Sequence, residues 1–244
     1  MKNLLLTLFA LCTLAACQPT TPNPWEELFN GENLDGWTPK FAGSELGVNY
    51  KNTFQVQDGV IRVSYNEYDT FSQEFGHLFY KDPFDNYILR VEYRFVGEQV
   101  TNGPGWAFKN SGAMLHCQDP ASMDVAQDFP ISIEAQFLGG DGKSSRPTGN
   151  LCTPGTNVFM ADTLFTPHCI SSTSDTYATE DWVQIDMIVY GDSLIHHVVE
   201  GDTVLTYTKP QLDDGTLVGS GYISLQAESH PLEFRKVAIK KLNR

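Results

Sequence analysis

Apolar and polar residues alternate through much of the chain after its first 24 residues. From Tyr87 to Val96 every second side chain is apolar, and the same period recurs from Ile131 to Phe137. Successive side chains of a β-strand point to opposite faces, so this period predicts strands with one buried face. No window of about 12 residues in this part keeps a helical period. The pattern therefore predicts an all-β fold.

Turn-forming residues separate the predicted strands at short intervals. Asp58-Gly59 divides two short strands within Phe54–Ser64, and Gly191-Asp192 and Gly201-Asp202 divide later ones. Short strands spaced roughly 8–12 residues apart are typical of a β-sandwich. Because no linker interrupts the sequence after Trp25, we predict a single domain over residues 25–244.

The N-terminal residues read as a targeting segment. A basic start is followed by the apolar run Leu4 to Leu14 and then by Leu14-Ala15-Ala16-Cys17. This order resembles the lipobox of bacterial lipoproteins, whose signal peptide is cut before a lipidated cysteine. We predict a signal peptide over residues 1–16, lipidation of Cys17 and a tether over residues 17–24. The expected location is the bacterial cell envelope, lipid-anchored on the periplasmic or outer-membrane face, with an ordinary cleaved signal as the alternative.

The predicted export affects how the remaining cysteines are interpreted. Disulfides form outside the cytoplasm, and Cys152 and Cys169 border one loop-rich segment, so they are the expected pair. Cys117 follows the period of a strand and is expected to be a buried thiol. A zinc site involving His116, His168 and Cys169 is the alternative, although no C-x-x-C spacing supports it.

The charge balance restricts the partners. The sequence has 16 Lys and Arg against 30 Asp and Glu, a net charge of −14. Nucleic acid is therefore not an expected partner, because no basic stripe is present to neutralise phosphates. The net negative charge also makes polyanionic sugars less expected as substrates.

Several segments, taken in order, resemble the 3-keto-disaccharide hydrolase domain family. They include LFNGENLDGW at 28–37, NSGAML at 110–115, ISIEAQFLG at 131–139 and GYISLQAESHPLEFRKVAIKKL at 221–242. The resemblance covers nearly the whole chain after Trp25. It implies a concanavalin A-like jelly-roll β-sandwich and an activity on glycosides already oxidised at C3 of the sugar.

A 3-keto sugar calls for a particular set of groups. The ketone acidifies the hydrogen on C2, and the glycosidic oxygen on C1 lies β to the carbonyl, so proton removal gives an enolate that can expel the aglycone. Water can add afterwards. The site needs a base, an electrophile at the ketone oxygen and an acid for the leaving group. An ordinary glycosidase needs two carboxyls instead, and Glu134 is followed by Gln136 rather than by a second acid.

The strand period places polar residues in pairs that we expect to converge on one open face of the sandwich. Each pair could equally be a solvated or ion-paired surface. The catalytic candidates are Glu134, His116 or His197 as the base and Arg94 as the group that polarises the ketone. A divalent cation near Glu134 and His116 is left open as another electrophile. The substrate-binding candidates are Glu92, Gln136, Arg146, His168, Gln226, Glu228 and His230.

The leading prediction is an envelope lipoprotein that cleaves 3-keto-glycosides by C2 proton abstraction, with an oligosaccharide or glycoside as its partner. A non-catalytic glycan-binding lipoprotein is the first alternative. A conventional glycoside hydrolase is the second.

Overall fold

The computed structural model describes residues 24–178 and 180–243, which form two antiparallel β-sheets. The strands are β1 Glu26–Glu27, β2 Trp37–Phe41, β3 Phe54–Gln57, β4 Val60–Val63, β5 Gly76–Tyr80, β6 Asn86–Phe95, β7 Asn110–Cys117, β8 Ile133–Leu138, β9 Asn150–Cys152, β10 Thr156–Met160, β11 Thr163–Phe165, β12 Cys169–Ile170, β13 Val183–Tyr190, β14 Leu194–Val199, β15 Asp202–Leu212, β16 Tyr222–Ala227 and β17 Leu232–Lys241. Three short 3₁₀ helices span Tyr50–Asn52, Gly105–Ala107 and Pro120–Ser122. The all-β prediction is confirmed.

The two sheets divide the chain unevenly. A ten-stranded sheet has the order β11-β10-β15-β14-β13-β6-β17-β4-β3, with β1 paired to β17. A seven-stranded sheet has the order β12-β9-β8-β7-β16-β5-β2. The strands β7, β8 and β16 are central in the smaller sheet, so residues from distant parts of the sequence lie side by side there.

The core lies between the sheets and follows the predicted alternation. In β6 the residues Leu89, Val91, Tyr93 and Phe95 are buried, whereas the residues between them are partly exposed. Tyr93 stacks on Phe137 of the seven-stranded sheet, with ring centroids 4.4 Å apart. Each such side chain removed from water stabilises the fold by about 1.5–3 kcal/mol, so the alternation fixes which face of each strand is turned inward.

The face of the seven-stranded sheet that points away from the core is here called the outer face. A segment of residues 118–132, the covering loop, lies across part of it. Met123 of this loop packs with Phe79 and Met114. The ammonium of Lys40 donates to the carbonyl oxygen of Val125 at 3.1 Å, which ties the loop to β2. The outer face is therefore partly covered and partly open.

A β-bulge near the end of β7 interrupts the alternation. Ser224 pairs with Met114 and Tyr222 pairs with Cys117, so two residues of β7 lie opposite one residue of β16. His116 at the bulge has φ 51°, a left-handed conformation that reverses the direction of its side chain.

The bulge corrects the predicted faces of His116 and Cys117. The ring of His116 meets the edge of Tyr87, an inward-facing residue of β6, and its Nε2 lies 3.2 Å from the carbonyl oxygen of Gly191. Cys117 packs instead with Met114 on the outer side. The prediction that His116 lies on the open face with the other polar candidates is wrong, whereas Cys117 is a buried free thiol as expected.

The predicted signal peptide, Cys17 and all of the tether but its last residue lie outside the described residues. None of the helices in residues 24–178 and 180–243 has the length and apolar character needed to cross a bilayer.

A substitution at Gly221 tests how closely the backbone packs against the bulge at His116 and Cys117. A Cβ at this position would stand 2.4 Å from the carbonyl carbon of His116 and 2.6 Å from the carbonyl oxygen of Cys117. Backbone atoms cannot move aside without distorting the bulge, so Gly221→Ala should lower the free energy of unfolding by about 2–3 kcal/mol. Urea denaturation measures the change. Gly105→Ala is the matched control because its Cβ would meet nothing within 4 Å, and an equal loss in both variants would contradict the packing argument.

Candidate active site

A cavity of about 380 Å³ opens on the outer face, beside the covering loop. Its polar lining is Asn110, Glu134, Gln136, His168 and Glu228, and its apolar lining includes Trp106, Phe129 and Pro154. This volume lies in the lower part of the range for small-molecule sites, and an apolar wall with a few convergent polar groups is their usual composition.

Glu134 extends from β8 across the neighbouring strand. It pairs in register with Met114, and a Cβ added to Gly112 would stand 2.8 Å from its Oε1. The missing side chain of Gly112 therefore leaves the space that the carboxyl occupies. Within the described residues, Oε1 of Glu134 has no hydrogen-bond partner. Burial without compensation raises the pKa of Glu134 to about 8.

Glu228 supplies a second carboxyl to the same cavity. It follows β16, and its Oε2 has no hydrogen-bond partner in the part of the chain that the structure describes. Burial raises the pKa of Glu228 well above its ordinary value, and the negative charge of Glu134 raises it further. Because two buried carboxyls that repel each other when charged resist ionising together, at least one of them holds a proton at neutral pH.

The backbone that carries Glu228 is strained and firmly held. Ser229 has φ 105°, a value that side chains rarely tolerate. Its N–H donates to the hydroxyl oxygen of Tyr65 at 2.6 Å, and its Oγ accepts from Nε2 of Gln99 at 2.9 Å. Such strain, of order 1–3 kcal/mol, persists only where surrounding contacts fix the conformation. These contacts place the Glu228 carboxyl in the cavity.

Amide groups complete the polar side of the cavity. Oε1 of Gln136 accepts from Nδ2 of Asn150 at 3.0 Å, which leaves the amino group of Gln136 as a donor. The buried Oδ1 of Asn110 has no partner among residues 24–178 and 180–243 and is therefore a free acceptor. Paired donors and acceptors of this kind suit sugar hydroxyls.

The opposite wall is built on a disulfide. Cys152 of β9 and Cys169 of β12 are bonded, as predicted, and the bond holds the edge strand β12 and the adjacent His168 against the sheet. Trp106 stands at the mouth with 57% of its surface exposed, and its ring stacks on Phe75 at 5.7 Å between centroids.

Two of the predicted site residues lie on the other sheet. Arg94 and Glu92 project from the outward face of the ten-stranded sheet, where Arg94 pairs with Glu233 at 2.7 Å and Glu92 pairs with Arg235. The prediction that they join Glu134 is wrong. Alternation along β6 predicted which side of the strand they occupy, but the strand belongs to the other layer.

The two histidines proposed as bases also lie elsewhere. His197 is buried in the ten-stranded sheet, with Nδ1 2.8 Å from the carbonyl oxygen of Gly149 and Nε2 2.9 Å from the hydroxyl of Tyr207. Burial lowers the pKa of His197 to about 4. His116 is turned toward the core by the bulge. Their predicted place beside Glu134 is therefore wrong, and the contacts of His197 are structural.

Arg146, His230 and Gln226 are close to the site without forming its lining. Arg146 donates through Nη2 to the carbonyl oxygen of Phe108 at 2.6 Å. The His230 ring lies edge-on to Phe108, at 5.1 Å between centroids, and burial lowers its pKa to about 4. Gln226 is fully buried on the outer face next to the carboxyl pair. Of the predicted residues, the structure brings Glu134, Gln136, His168 and Glu228 together.

The residues that sequence reasoning missed come mainly from loops. Phe129 reaches the cavity from the covering loop, and nothing in its local pattern indicates this. Asn110 could have been found, because it shares the strand period of Gly112 and Met114, which face Gln136 and Glu134.

The donor atoms do not fit the zinc site that was the alternative interpretation of His116, His168 and Cys169. Cys152, His168 and Cys169 bring one ligand atom each within 4.8 Å of one another, but both sulfurs are consumed by the disulfide. Of these three residues, only the imidazole of His168 remains free to bind a zinc ion. For a divalent cation, His116 is excluded by the bulge, and the carboxylates of Glu134 and Glu228 are the oxygen ligands that fit.

The two stacked antiparallel sheets and the cavity on one outer face define a jelly-roll sandwich of the concanavalin A-like class. The chain belongs to the family described as the 3-keto-alpha-glucoside-1,2-lyase-like domain, whose model matches residues 24–240. This confirms the resemblance drawn from the sequence motifs. Comparison with curated proteins gave no match.

Solved structures share the fold at low identity. A protein from Parabacteroides distasonis ATCC 8503 described as a "Putative glycosyl hydrolase" is 18% identical, with 90% of this chain and 100% of that chain covered and a TM-score of 0.56. A Bacillus subtilis protein of unknown function with a galectin-like fold is 12% identical, with 90% and 96% covered and a TM-score of 0.57. The Bacillus licheniformis beta-glucanase is 13% identical, with 89% and 97% covered and a TM-score of 0.52. At these identities the likeness concerns the fold.

The carboxyl pair makes stability depend on pH. Because the folded chain raises the pKa of both carboxyls, it holds more protons than the unfolded chain between pH 4.5 and about 8. The stability present below pH 4.5 should therefore fall as pH rises through this window, by at most about 1.4 kcal/mol per pH unit for each carboxyl. Glu134→Gln should flatten this dependence and exceed the wild type in stability at pH 8, as measured by urea denaturation. Glu32→Gln, in an exposed turn, should keep the wild-type slope, and an unchanged slope in Glu134→Gln would contradict the assignment.

The disulfide should stabilise the fold measurably. It closes a loop of 17 residues, for which chain entropy predicts about 3 kcal/mol. Replacing both Cys152 and Cys169 by alanine should lower the unfolding free energy by about this amount, and reductant should destabilise the wild type but not the double variant. If reductant destabilised the wild type and the double variant equally, the result would contradict this prediction.

Proposed function

We propose that this protein cleaves 3-keto-glycosides by elimination, with Glu134 and Glu228 as its proton-transfer pair. The observation that carries the proposal is the pair itself, two buried carboxyls that line one cavity and have raised pKa values. Membership of the lyase-like family supports the substrate class.

The raised pKa suits a carboxylate to the task of removing a proton from carbon. A carboxylate of ordinary pKa is a weak base, whereas one whose pKa lies near the working pH is stronger and still available in its ionised form. The ketone at C3 makes the C2 hydrogen acidic enough for such a base. The electron pair of the C2–H bond enters the enolate and then forms the C1–C2 double bond as the glycosidic oxygen leaves C1.

The second carboxyl supplies the acid that the leaving glycosidic oxygen requires. In the singly protonated pair, one carboxylate accepts the C2 proton and the remaining carboxylic acid donates its proton to the departing oxygen. Two groups with the same side chain thus take different roles because they share one proton, a division of labour known from other carboxyl pairs. Water added to the resulting double bond would give the hydrolysed sugar.

Recognition of the sugar would fall to the rest of the cavity. The free amino group of Gln136 and the acceptor of Asn110 are placed for hydroxyls, and Trp106 offers a face for stacking. We further propose that the protein acts at the bacterial envelope through a lipid on Cys17. The lipobox supports this, as does the short distance along the chain from Cys17 to β1 at Glu26.

A conventional glycoside hydrolase is a second candidate, favoured by the same two carboxyls. The two functions differ in the substrate they need, because an ordinary glycosidase cleaves the unoxidised sugar. The remaining alternative is a non-catalytic glycan-binding protein.

The purified protein should release the aglycone from a 3-keto-disaccharide but not from its unoxidised parent. Glu134→Gln and Glu228→Gln should each lower kcat/KM by about 10²–10⁴-fold, because each removes a proton-transfer group. On the acidic side, kcat/KM should rise with pH toward the Glu134 pKa of about 8. Product release is followed by chromatography, and Glu32→Gln is the control expected to retain full activity.

Each alternative gives a different result in this assay. Release from the unoxidised parent points to a conventional glycosidase, and binding of both sugars without release points to a glycan-binding protein. Either result rejects the proposal. Adding a chelator tests the divalent cation, since a cation held by Glu134 and Glu228 would make activity depend on its removal and readdition.

A further inference from the structure

The amide of Gln136 is held in one orientation by a chain of hydrogen bonds that begins outside the cavity. The N–H of Ser172 donates to Oδ1 of Asn150 at 2.9 Å, which fixes the direction of the Asn150 amide. Its Nδ2 donates to Oε1 of Gln136 and to the carbonyl oxygen of Pro147, both at 3.0 Å. Because a backbone N–H can only donate, each bond in this chain determines the next. Nε2 is therefore the end of the Gln136 amide that remains for a ligand.

This amide nitrogen is available in the cavity. Gln136 lines the cavity and is half-buried, whereas Asn150 and Ser172 behind it are buried. Within the part of the chain that the structure describes, the side chain of Gln136 makes one hydrogen bond, which its Oε1 accepts. The amino group has two N–H donors, so binding a sugar hydroxyl with one leaves the second for another oxygen of the substrate.

The register places this donor beside the carboxyl of Glu134. The two residues are two positions apart on β8 and project from the same face of the strand. Gly112 of β7 pairs with Gln136, and a Cβ at Gly112 would stand 2.8 Å from Oε1 of Glu134. The Glu134 carboxyl thus leans toward the strand position opposite Gln136, which brings a proton acceptor and a hydrogen-bond donor to the same part of the cavity.

A 3-keto sugar presents two neighbouring atoms that need such a pair. The hydrogen to be removed is on C2 and the ketone oxygen is on C3, so the base and the donor must stand side by side. When the proton leaves, the ketone oxygen becomes an enolate oxygen, and a donor aimed at it stabilises the charge. Among the described residues that line the cavity there is no lysine or arginine to take this role.

Three other residues of the lining have side-chain N–H groups, and each is less suited than Gln136. Nδ2 of Asn110 is directed to the carbonyl oxygen of Trp106, at 3.4 Å. The side chain of His168 is exposed, and Trp106 stands at the cavity mouth. An exposed donor is hydrated and must be reordered as charge develops, whereas an effective oxyanion donor is fixed beforehand. The amide held by Asn150 meets that condition.

The two carboxyls differ in which of them keeps its proton. Burial raises the pKa of Glu134 to about 8, and the charge of Glu134 raises the pKa of Glu228 beyond the effect of burial. Glu134 therefore ionises first, while Glu228 keeps its proton. This order agrees with the geometry, because the carboxyl that becomes a base is the one beside Gln136.

We propose that Gln136 is the oxyanion-binding residue of this site, with Glu134 as the base and Asn150 as the positioning residue. The C2 proton goes to the Glu134 carboxylate, the C–H electron pair forms a C2–C3 double bond, and the ketone π pair moves onto the C3 oxygen. That oxygen accepts from Nε2 of Gln136. The ketone then reforms, the C1–C2 double bond appears, and the glycosidic oxygen leaves C1 with a proton from Glu228. This inference rests on the proposed elimination.

Deuterium exchange at C2, followed by NMR, separates enolate formation from cleavage. The 3-keto derivative of 1,5-anhydroglucitol has no aglycone at C1, so its exchange needs the base and the oxyanion donor but no acid. Glu134→Gln and Gln136→Met should each slow this exchange by about 10²–10³-fold. Glu228→Gln should keep the exchange rate within about tenfold but lower cleavage of a 3-keto-disaccharide by about 10²–10⁴-fold. Gln184→Met, on the outward face of the ten-stranded sheet, is the matched control and should keep both rates.

The kinetic constants distinguish an oxyanion donor from a group that only binds hydroxyls. Methionine resembles glutamine in shape, so Gln136→Met should fold and bind the 3-keto-disaccharide with little change in KM. Its kcat should fall, because the lost hydrogen bond is stronger in the transition state than with the bound ketone. A raised KM with an unchanged kcat would assign Gln136 to hydroxyl binding and reject the oxyanion role.

The outcomes separate this inference from the function on which it rests. A wild type that neither exchanges nor cleaves rejects the proposed function, and this inference with it. An active wild type with a Gln136→Met variant whose exchange stays within about threefold rejects the oxyanion role alone, since such a donor is worth far more than that. Exchange that is lost in Glu228→Gln and kept in Glu134→Gln rejects Glu134 as the base. A loss in Gln136→Met that is matched by unfolding in urea denaturation assigns Gln136 a structural role.

Asn150→Asp tests the orientation of the amide without replacing Gln136. An aspartate keeps an acceptor for the N–H of Ser172, but its second oxygen also accepts, so the Gln136 amide should turn over and present Oε1 to the cavity. Exchange at C2 should fall about as far as in Gln136→Met. In the Gln136→Met background the same change should have little further effect, because a positioning residue acts only through the group it orients. Equal effects in both backgrounds would reject the positioning role.

Two further variants complete this test. Asn66→Asp makes the same change at an exposed position and should keep the wild-type exchange rate. Asn150→Ala serves if a buried aspartate prevents folding, because it frees the Gln136 amide instead of inverting it. It should slow exchange by about tenfold in the wild type, the equivalent of one lost hydrogen bond, and have little effect in Gln136→Met. An equal loss in both backgrounds again contradicts the role of Asn150.

Discussion

The structure of the site depends on one unfavourable interaction, the burial of two carboxyl groups in the lining of a single cavity. The fold makes room for the first through the missing side chain of Gly112 and holds the second through the hydrogen bonds around Ser229. The sandwich core offsets this cost on its other side, where the seven-stranded sheet is packed by aromatic and aliphatic residues. Because the two faces of the seven-stranded sheet are separate, one can pack the core while the other carries the carboxyl pair.

The sequence predicted much of the fold because alternation records which side of each strand is buried. It succeeded along β6 and β8, where Val91, Tyr93, Ala135 and Phe137 all enter the core. It predicted the partnership of Glu134 and Gln136 for the same reason. The disulfide could be predicted because Cys152 and Cys169 border one loop-rich segment and because the protein was expected to be exported.

The errors have two physical sources. Alternation says nothing about which sheet a strand joins, so Glu92 and Arg94 could not be separated from Glu134 by their own pattern. It also fails where the backbone adds a residue to one strand, as it does beside His116. Pairing between strands was needed to see that Asn150 adjoins Gln136. Glycine at position 112 is visible in the sequence, but its purpose becomes clear only when β8 is laid beside β7.

The left-handed backbone at Ser229 has a consequence for how this protein can change. Selection for stability alone would favour substitutions that relax this bend. Such substitutions would also move the Glu228 carboxyl out of its position in the cavity. The residues 228–230 are thus a place where durability and chemistry oppose each other. A lineage adapting to heat would have to gain its resistance in other parts of the sandwich.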